Sequence, residues 1–456
     1  MREERRRISV GRRVGMAALR VCARQGEASA RLTRSIRTAK VPGLGACVQT
    51  FLGWIDGDPS HEAAVLRALG ASGQQDAREE LGLGSLRDSF ADTFFPGLST
   101  IQTRARYFFF VQWCCELAAR RSAEDGILTA LHRHEVELIS ALSHLGQGKG
   151  VIGIDSQDRL RRMPSDIYWS GLMRLGMRQA EGSPVHWARG VVAARETERQ
   201  SPGREGEAAI ESTFGFDSDR PRMPDNFPNL PALDFGLTTD EARTLRRRLA
   251  GACADRDGRL HQHNLMSVFM THRRALPRGM SLWDHPMVPA LQSETQQLLQ
   301  LARAFTEVMY GAGILYRRTV ARLSLPEGGQ LDRYEGYAAG LQDWANALRP
   351  ADVHLVLDHI DEAGRLGFAT RHTISPETLA FVKAWAALCR AGPDLPASEA
   401  AAELVSRREV ALKGRAGTSR IRLASARSRW RGGEAQRLDY RWGTAHQYLN
   451  DLASVR

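Results

Sequence analysis

The sequence predicts a mainly α-helical protein: two helical domains joined by a Pro/Gly-rich linker, with few short strands. Three observations carry that expectation. Apolar residues recur at threes and fours over several long windows, runs of alternating strand character are scarce, and residues 181–236 lose their periodicity into Gly, Pro and charge. With 456 residues, 43% of them hydrophobic and 25% charged, the chain has an ordinary globular composition and length enough for two or three cores.

The first domain is expected over residues 48–180. Ser99 and Gln102 are spaced as a capping box, so a helix is predicted from about Thr100 to Arg120. Its middle, Tyr107 to Trp113, is almost wholly apolar and should be buried on nearly all sides. A second helix, Glu124 to Leu145, carries Ile127, Leu131, Leu138, Leu142 and Leu145 on one stripe. Ser165 is expected to cap a shorter one through Tyr168, Trp169, Leu172 and Leu175. Pro221, Pro224, Pro228 and Pro231 then exclude a long helix, and 181–236 reads as the linker. The second domain, 237–404, opens on a Thr238–Glu241 capping box and has its spine at Pro289 to Leu323, where Leu291, Leu298, Ala302, Phe305, Met309, Ala312 and Tyr316 share a face. Shorter helices follow at Leu331 to Leu348, Ala351 to Ala363 and Glu377 to Ala391, the last with Ser375 as cap and Pro376 in its first turn.

The net charge of +11 is uneven. Residues 1–48 hold twelve basic against three acidic side chains and residues 405–456 twelve against four, which leaves the middle of the chain net acidic. The body alone therefore does not call for a polyanion partner; the ends do. Residues 1–47 lack an apolar period and are expected to be a disordered basic extension, with a transit peptide, a nucleic-acid arm or translation from an upstream start as readings left open. The longest apolar stretches fall well short of the roughly 20 residues of a membrane span, so no membrane partner is expected. Six cysteines without zinc spacing read as reduced thiols of a cytoplasmic protein, Cys114 and Cys115 as small apolar core residues.

The blocks LGWID at Leu52 and LGLGSLRDSFADTFFPGLSTIQTRARYFFFVQW from Leu81 to Trp113 resemble an uncharacterised bacterial domain-of-unknown-function family. GVIGID at Gly150, PSDIYWSGLMRLG at Pro164, ISPETLAFVKAW at Ile374 and RLDYRW at Arg437 resemble its later blocks in the same order, over about residues 50–450. The resemblance implies a bacterial protein encoded near helicase and methyltransferase genes in phage-defence loci. It implies no activity and no catalytic residues.

Motif by motif, a bland reading outweighs the chemical one. Gly148, Gly150 and Gly153 satisfy a dinucleotide fingerprint, but a helix precedes them where a strand is required, and a glycine turn is expected. His134 and Glu135 begin a zincin motif whose second imidazole is missing, and His261, His263 and His272 read as solvated histidines. No cofactor is expected. Asp88 and Asp92 could share a helix face and hold a divalent metal. With Arg104 and Arg106 nearby they read more simply as a structural charge network. Most telling is the end of the chain, where Lys413, Arg415, Arg420, Arg422, Arg427, Arg429 and Arg431 interleave with Trp430, Tyr440 and Trp442. Guanidiniums neutralise phosphates and aromatic faces stack on bases, so Arg420, Arg422, Arg427, Arg429, Trp430 and Arg431 are the candidate contacts to DNA or RNA; the alternative is a basic surface whose aromatics anchor it.

Three functions stay open at this point. The first is a non-catalytic, nucleic-acid-associated subunit of a bacterial defence or DNA-processing complex, the second an adaptor docking a partner enzyme such as a helicase or methyltransferase, and the third an enzyme with an unrecognised carboxylate site at Asp88 and Asp92.

Overall fold

The computed structural model describes residues 80–455 except 122, 147–149, 155–161, 201–214, 218, 231 and 256. The basic extension 1–47 and the block at Leu52 lie outside them. Fourteen α-helices are present among the described residues and no strand, only one isolated antiparallel bridge between Arg178 and Phe216.

Apolar density selects the two central helices. The first, α2 (Tyr107–Ala118), buries Tyr107 to Cys115 without a break. Its predicted start moves, because the Ser99–Gln102 box closes only a turn (Ser99 N–H to Gln102 Oε1, 3.1 Å). The amides a longer helix would have used are taken elsewhere. Tyr168 Oη accepts from the N–H groups of Thr103 (2.9 Å) and Arg104 (3.1 Å), and Asp451 accepts from that of Ala105 (2.9 Å). Around α2 pack α3 (Glu124–His144) and α4 (Pro164–Arg174), preceded in the chain by α1 (Gly84–Phe94). Ser165 is not the cap of α4: Asp166 accepts from Met163 N–H, while the amide and hydroxyl of Ser165 both donate to the buried Glu135 (2.5 and 3.1 Å).

The second centre is α8 (Ser293–Ser324), 32 residues long and so roughly 48 Å. Against it lie α9 (Leu331–Ala347), α10 (Pro350–Thr370), α11 (Pro376–Leu388) and α12 (Glu399–Lys413). Two tryptophans clamp adjacent carbonyls of α8: Trp344 donates to Glu307 (2.9 Å) and Trp385 to Val308 (2.8 Å), their rings stacked 6.1 Å apart. Gly311 is required here, since a Cβ would stand 2.2 Å from the Trp344 ring. The predicted caps hold at Thr238 and Glu241, which open α6 (Thr239–Gly251), and at Ser375 with Pro376 for α11.

The expected linker is not one. Residues 184–200 form α5 (Pro184–Gln200), with Trp187 and Val191 buried, and beyond it Phe227, Leu233 and Phe235 insert singly into the core. Phe227 packs on Phe110 and Trp113, Phe235 on Tyr107, and the Trp113 indole donates to the Pro221 carbonyl. One core cluster consequently runs from Leu81 to Leu452, and every described residue belongs to one compact unit, 63–456, so the helices assigned to two domains share an interior. The basic end of the chain, 405–456, is likewise integrated. The short α7 (Leu265–Phe269) lies between α6 and α8, and after α12 come the one-turn α13 (Ala424–Arg427) and α14 (Trp442–Ala453), with Tyr440, Trp442, Tyr448 and Leu452 in the core.

Phe109 is fully buried against Trp113. Its replacement by Ala should cost about 3–5 kcal/mol by leaving a cavity, read as a lowered denaturant midpoint; a near-neutral midpoint would contradict its central place.

Glu135, buried with no cation beside it among the described residues, is raised to about 8 by loss of hydration, the Ser165 bonds offsetting only part. The unfolded carboxyl loses its proton near the ordinary value of 4.5 and the folded one does not, so stability declines as pH rises from about 4.5 to about 8. Glu135→Gln should flatten that part of the curve of urea midpoint against pH. Parallel curves for the two proteins would refute it.

Candidate nucleic-acid interface

Beyond α12 the chain turns at Gly417, forms α13, and then runs from 430 to 440 without regular structure, antiparallel to α8. The register is pinned by side chains. Gly433 O accepts from Arg317 (3.2 Å) and Tyr337 Oη (2.7 Å), Arg437 reaches Glu307 (2.9 Å), Leu438 N–H donates to Thr306 Oγ1 (2.6 Å), and Tyr440 Oη to Ala302 O (2.7 Å). With α13 and the residues around it, 420–429, this strap forms one basic segment, 420–440, and its candidate contacts lie against the C-terminal end of α8.

There the six residues divide. Arg420 is an internal strut: its amide donates to Glu409 (2.7 Å) and its guanidinium to Tyr316 Oη (3.2 Å). Arg427 is another. It forks onto Glu327, with Nε at 3.0 Å, and its Nη1 donates to the carbonyls of Arg420 (2.9 Å) and Ile421 (3.0 Å). That fork holds the Glu327 carboxyl below its ordinary range and raises Arg427. Trp430 is half-buried, its ring engaged by Tyr337 (6.1 Å between centroids) and by the Arg333 guanidinium (5.9 Å). A free stacking platform is therefore not what Trp430 provides. Arg422, Arg429 and Arg431 are exposed and meet no carboxylate among the described residues.

A groove of about 340 Å³ opens beside them, with Glu327, Arg333, Arg427, Trp430 and Arg431 in its walls. Glu327 is neutralised by Arg427, which leaves Arg333 and Arg431 as its uncompensated charges. Gly432 lets the strap pass close to Arg333: it has φ +80°, and a Cβ there would stand 2.9 Å from Arg333 Nε. Sequence reasoning missed Glu327 and Arg333 because they lie about a hundred residues upstream, one in the turn before α9 and the other in α9, a helix of mixed charge; the Gly328–Gly329 pair between them was a local signal of that turn.

The other expected sites resolve into structure. Asp88, Asp92, Arg104 and Arg106 are all charge-paired, but not with one another. Asp92 meets His372 (2.7 Å) and Arg441, Asp88 pairs with Arg87 (3.0 Å), Arg104 with Asp451 (2.8 Å), and Arg106 with Glu241 (3.0 Å) and Asp234 (3.1 Å). Burial would raise Asp92, yet His372 and Arg441 together hold it below the ordinary carboxylate value. His263 is not solvated: it is buried, with Nδ1 3.0 Å from Thr295 Oγ1, and burial lowers its pKa. Gly150 and Gly153 both take left-handed conformations in the turn after α3, while Gly148 lies outside the described residues. The Cys114 and Cys115 thiols are pushed well up by burial, as core residues would be. No helix among the described residues is long and apolar enough to cross a membrane.

If Arg427 is a strut rather than a contact, Arg427→Ala should lower the denaturant midpoint and open residues 420–433 to limited proteolysis, whereas Arg429→Ala should do neither. Equal protease sensitivity in the two variants would remove the distinction.

One family model, that of a family of unknown function, matches residues 49–192 and 263–456 of the chain. No curated protein and no solved structure matches it.

Proposed function

The chain belongs to that family, DUF6361, a family of unknown function, and on this footing we propose that it is a non-catalytic, nucleic-acid-associated subunit of a bacterial defence or DNA-processing complex. One observation carries the reading: Arg422, Arg429 and Arg431, with Arg333 in the adjoining groove, present guanidiniums without opposing carboxylates on a segment that Arg420 and Arg427 tie to the core. Guanidiniums on an anchored backbone lose less freedom on meeting phosphates than those of a loose tail, and each contact releases condensed counterions. Because the Trp430 ring is already engaged, recognition falls on the phosphate backbone rather than on base stacking, and little sequence preference follows. Helicase and methyltransferase proteins are the partners that the family's implied genomic setting assigns to such a subunit. Asp88 and Asp92, the carboxylates an enzyme would need free, are engaged by Arg87, Arg441 and His372, which favours the non-catalytic form of the proposal.

Salt dependence tests it. Log affinity for a DNA or RNA oligonucleotide should fall linearly with log salt, and Arg429→Gln with Arg431→Gln should flatten the slope by roughly two units while weakening different sequences alike. Trp430→Ala should weaken single and double strands together, through Arg333. Failure to bind either form at low salt, or an unchanged slope in the double variant, would make the adaptor reading the leading one.

A further inference from the structure

A second set of arginines, at positions 243, 246 and 273, lines one cleft where α6 meets the end of α14. A cleft of about 670 Å³ is lined there by Thr239, Arg243, Arg246, Arg273, Ala453 and Val455. Among the described residues that line it, three are arginines and none carries a carboxylate.

Each arginine is placed differently. Arg246 is fixed, its Nη2 donating to the carbonyls of Leu452 (2.6 Å) and Val455 (2.9 Å) and so closing the C-terminal end of α14. Arg243 meets Asp240 at 2.7 Å, but both side chains stand mostly in water, and an exposed pair of this kind contributes little and exchanges readily. Arg273 is exposed and has no carboxylate partner among the described residues. Burial depresses the pKa of Arg246, and the neighbouring Arg273 charge adds to the lowering. The exposed Thr239 hydroxyl, in the first turn of α6, adds a donor on the same side. Forked guanidinium donors bind carboxylate and phosphate alike, and several of them beside a hydroxyl can together engage the three or four oxygens of a phosphate, where a carboxylate offers two.

We propose that this cleft binds a phosphate group, inorganic or carried by a small molecule, with Arg243, Arg273 and Thr239 as its donors and Arg246 as a fixed cationic wall. The site is independent of the nucleic-acid reading of the strap. At constant ionic strength, the full chain is titrated with inorganic phosphate and separately with adenosine monophosphate, following the heat of binding and the melting temperature. A saturable response is expected, with melting raised as ligand accumulates on the folded state. Arg273→Gln and Arg243→Gln should each weaken it about tenfold and Arg273→Glu should abolish it, because one charge-assisted contact is lost or reversed. The strap variant, Arg429→Gln with Arg431→Gln, should bind phosphate as the parent does even where its affinity for nucleic acid is reduced. Tighter binding of the nucleotide assigns the site to a phosphate-bearing small molecule; equal or weaker binding assigns it to the inorganic ion. The proposal falls if neither probe gives a saturable response, if Arg273→Glu binds like the parent, or if the strap variant alone loses binding. Arg273 is exposed, so its variants should melt like the parent without ligand, which separates lost binding from lost fold.

Discussion

The structure depends most on how the backbone ahead of α2 is satisfied. Thr103, Arg104 and Ala105 enter the most apolar part of the core, where an amide without a partner is costly, and none of their donors is met from within α2. Tyr168 of α4 takes two of them and Asp451 of α14 the third, while Asp451 also receives Arg104. One residue on, Arg106 reaches Glu241, which is itself the capping partner of Thr238. The turn therefore welds α4, α6 and α14 to the start of α2. Removing one partner of so buried a charge pair costs on the order of 3–5 kcal/mol, which makes this the joint on which the others rest.

From that joint follows the course of the C-terminal chain. With α14 held at Asp451 and Tyr440 bonded to Ala302, residues 430–440 have to run back along α8, and the basic segment becomes a strap rather than a tail. Its arginines then fall into two physical classes. Those facing the body, Arg420 and Arg427, are consumed by Glu409, Tyr316, Glu327 and backbone carbonyls, and their removal acts on the fold. Those facing outward, Arg422, Arg429 and Arg431, stay exposed and meet no carboxylate among the described residues. The same division appears at the cleft between α6 and the end of α14, where Arg246 closes a helix end and Arg243 and Arg273 stay open to water.

Long periodic helices were legible one by one: α3, α8 and α9 lie within a few residues of their predicted bounds, because a helix that buries one face announces it every three or four positions. Segments that bury residues singly were not. Phe227, Leu233 and Phe235 fill the α2 side of the core without any period, so their stretch read as a linker, and α5 within it has only a short apolar face at Trp187 and Val191. Helix α12 was hidden by charge: Arg408, Glu409 and Lys413 are buried, which composition alone assigns to a surface. The candidate site was half legible, since its arginines cluster in sequence at 420–431 while Glu327 comes from a distant turn and Arg333 from the helix after it.

By itself, then, the sequence determined the helical class, the burial of Tyr107 to Trp113, the caps at Thr238 and Ser375, and the charge at the chain's end, because each is written in local spacing or composition. Only the tertiary structure decided that there is one core rather than two, that Asp88 and Asp92 answer to Arg87, Arg441 and His372, and which arginines are struts. The reason is physical. Whether a charged side chain is spent or available depends on which carbonyls and carboxylates stand within about 3 Å of it, and those partners come from residues up to 349 positions away.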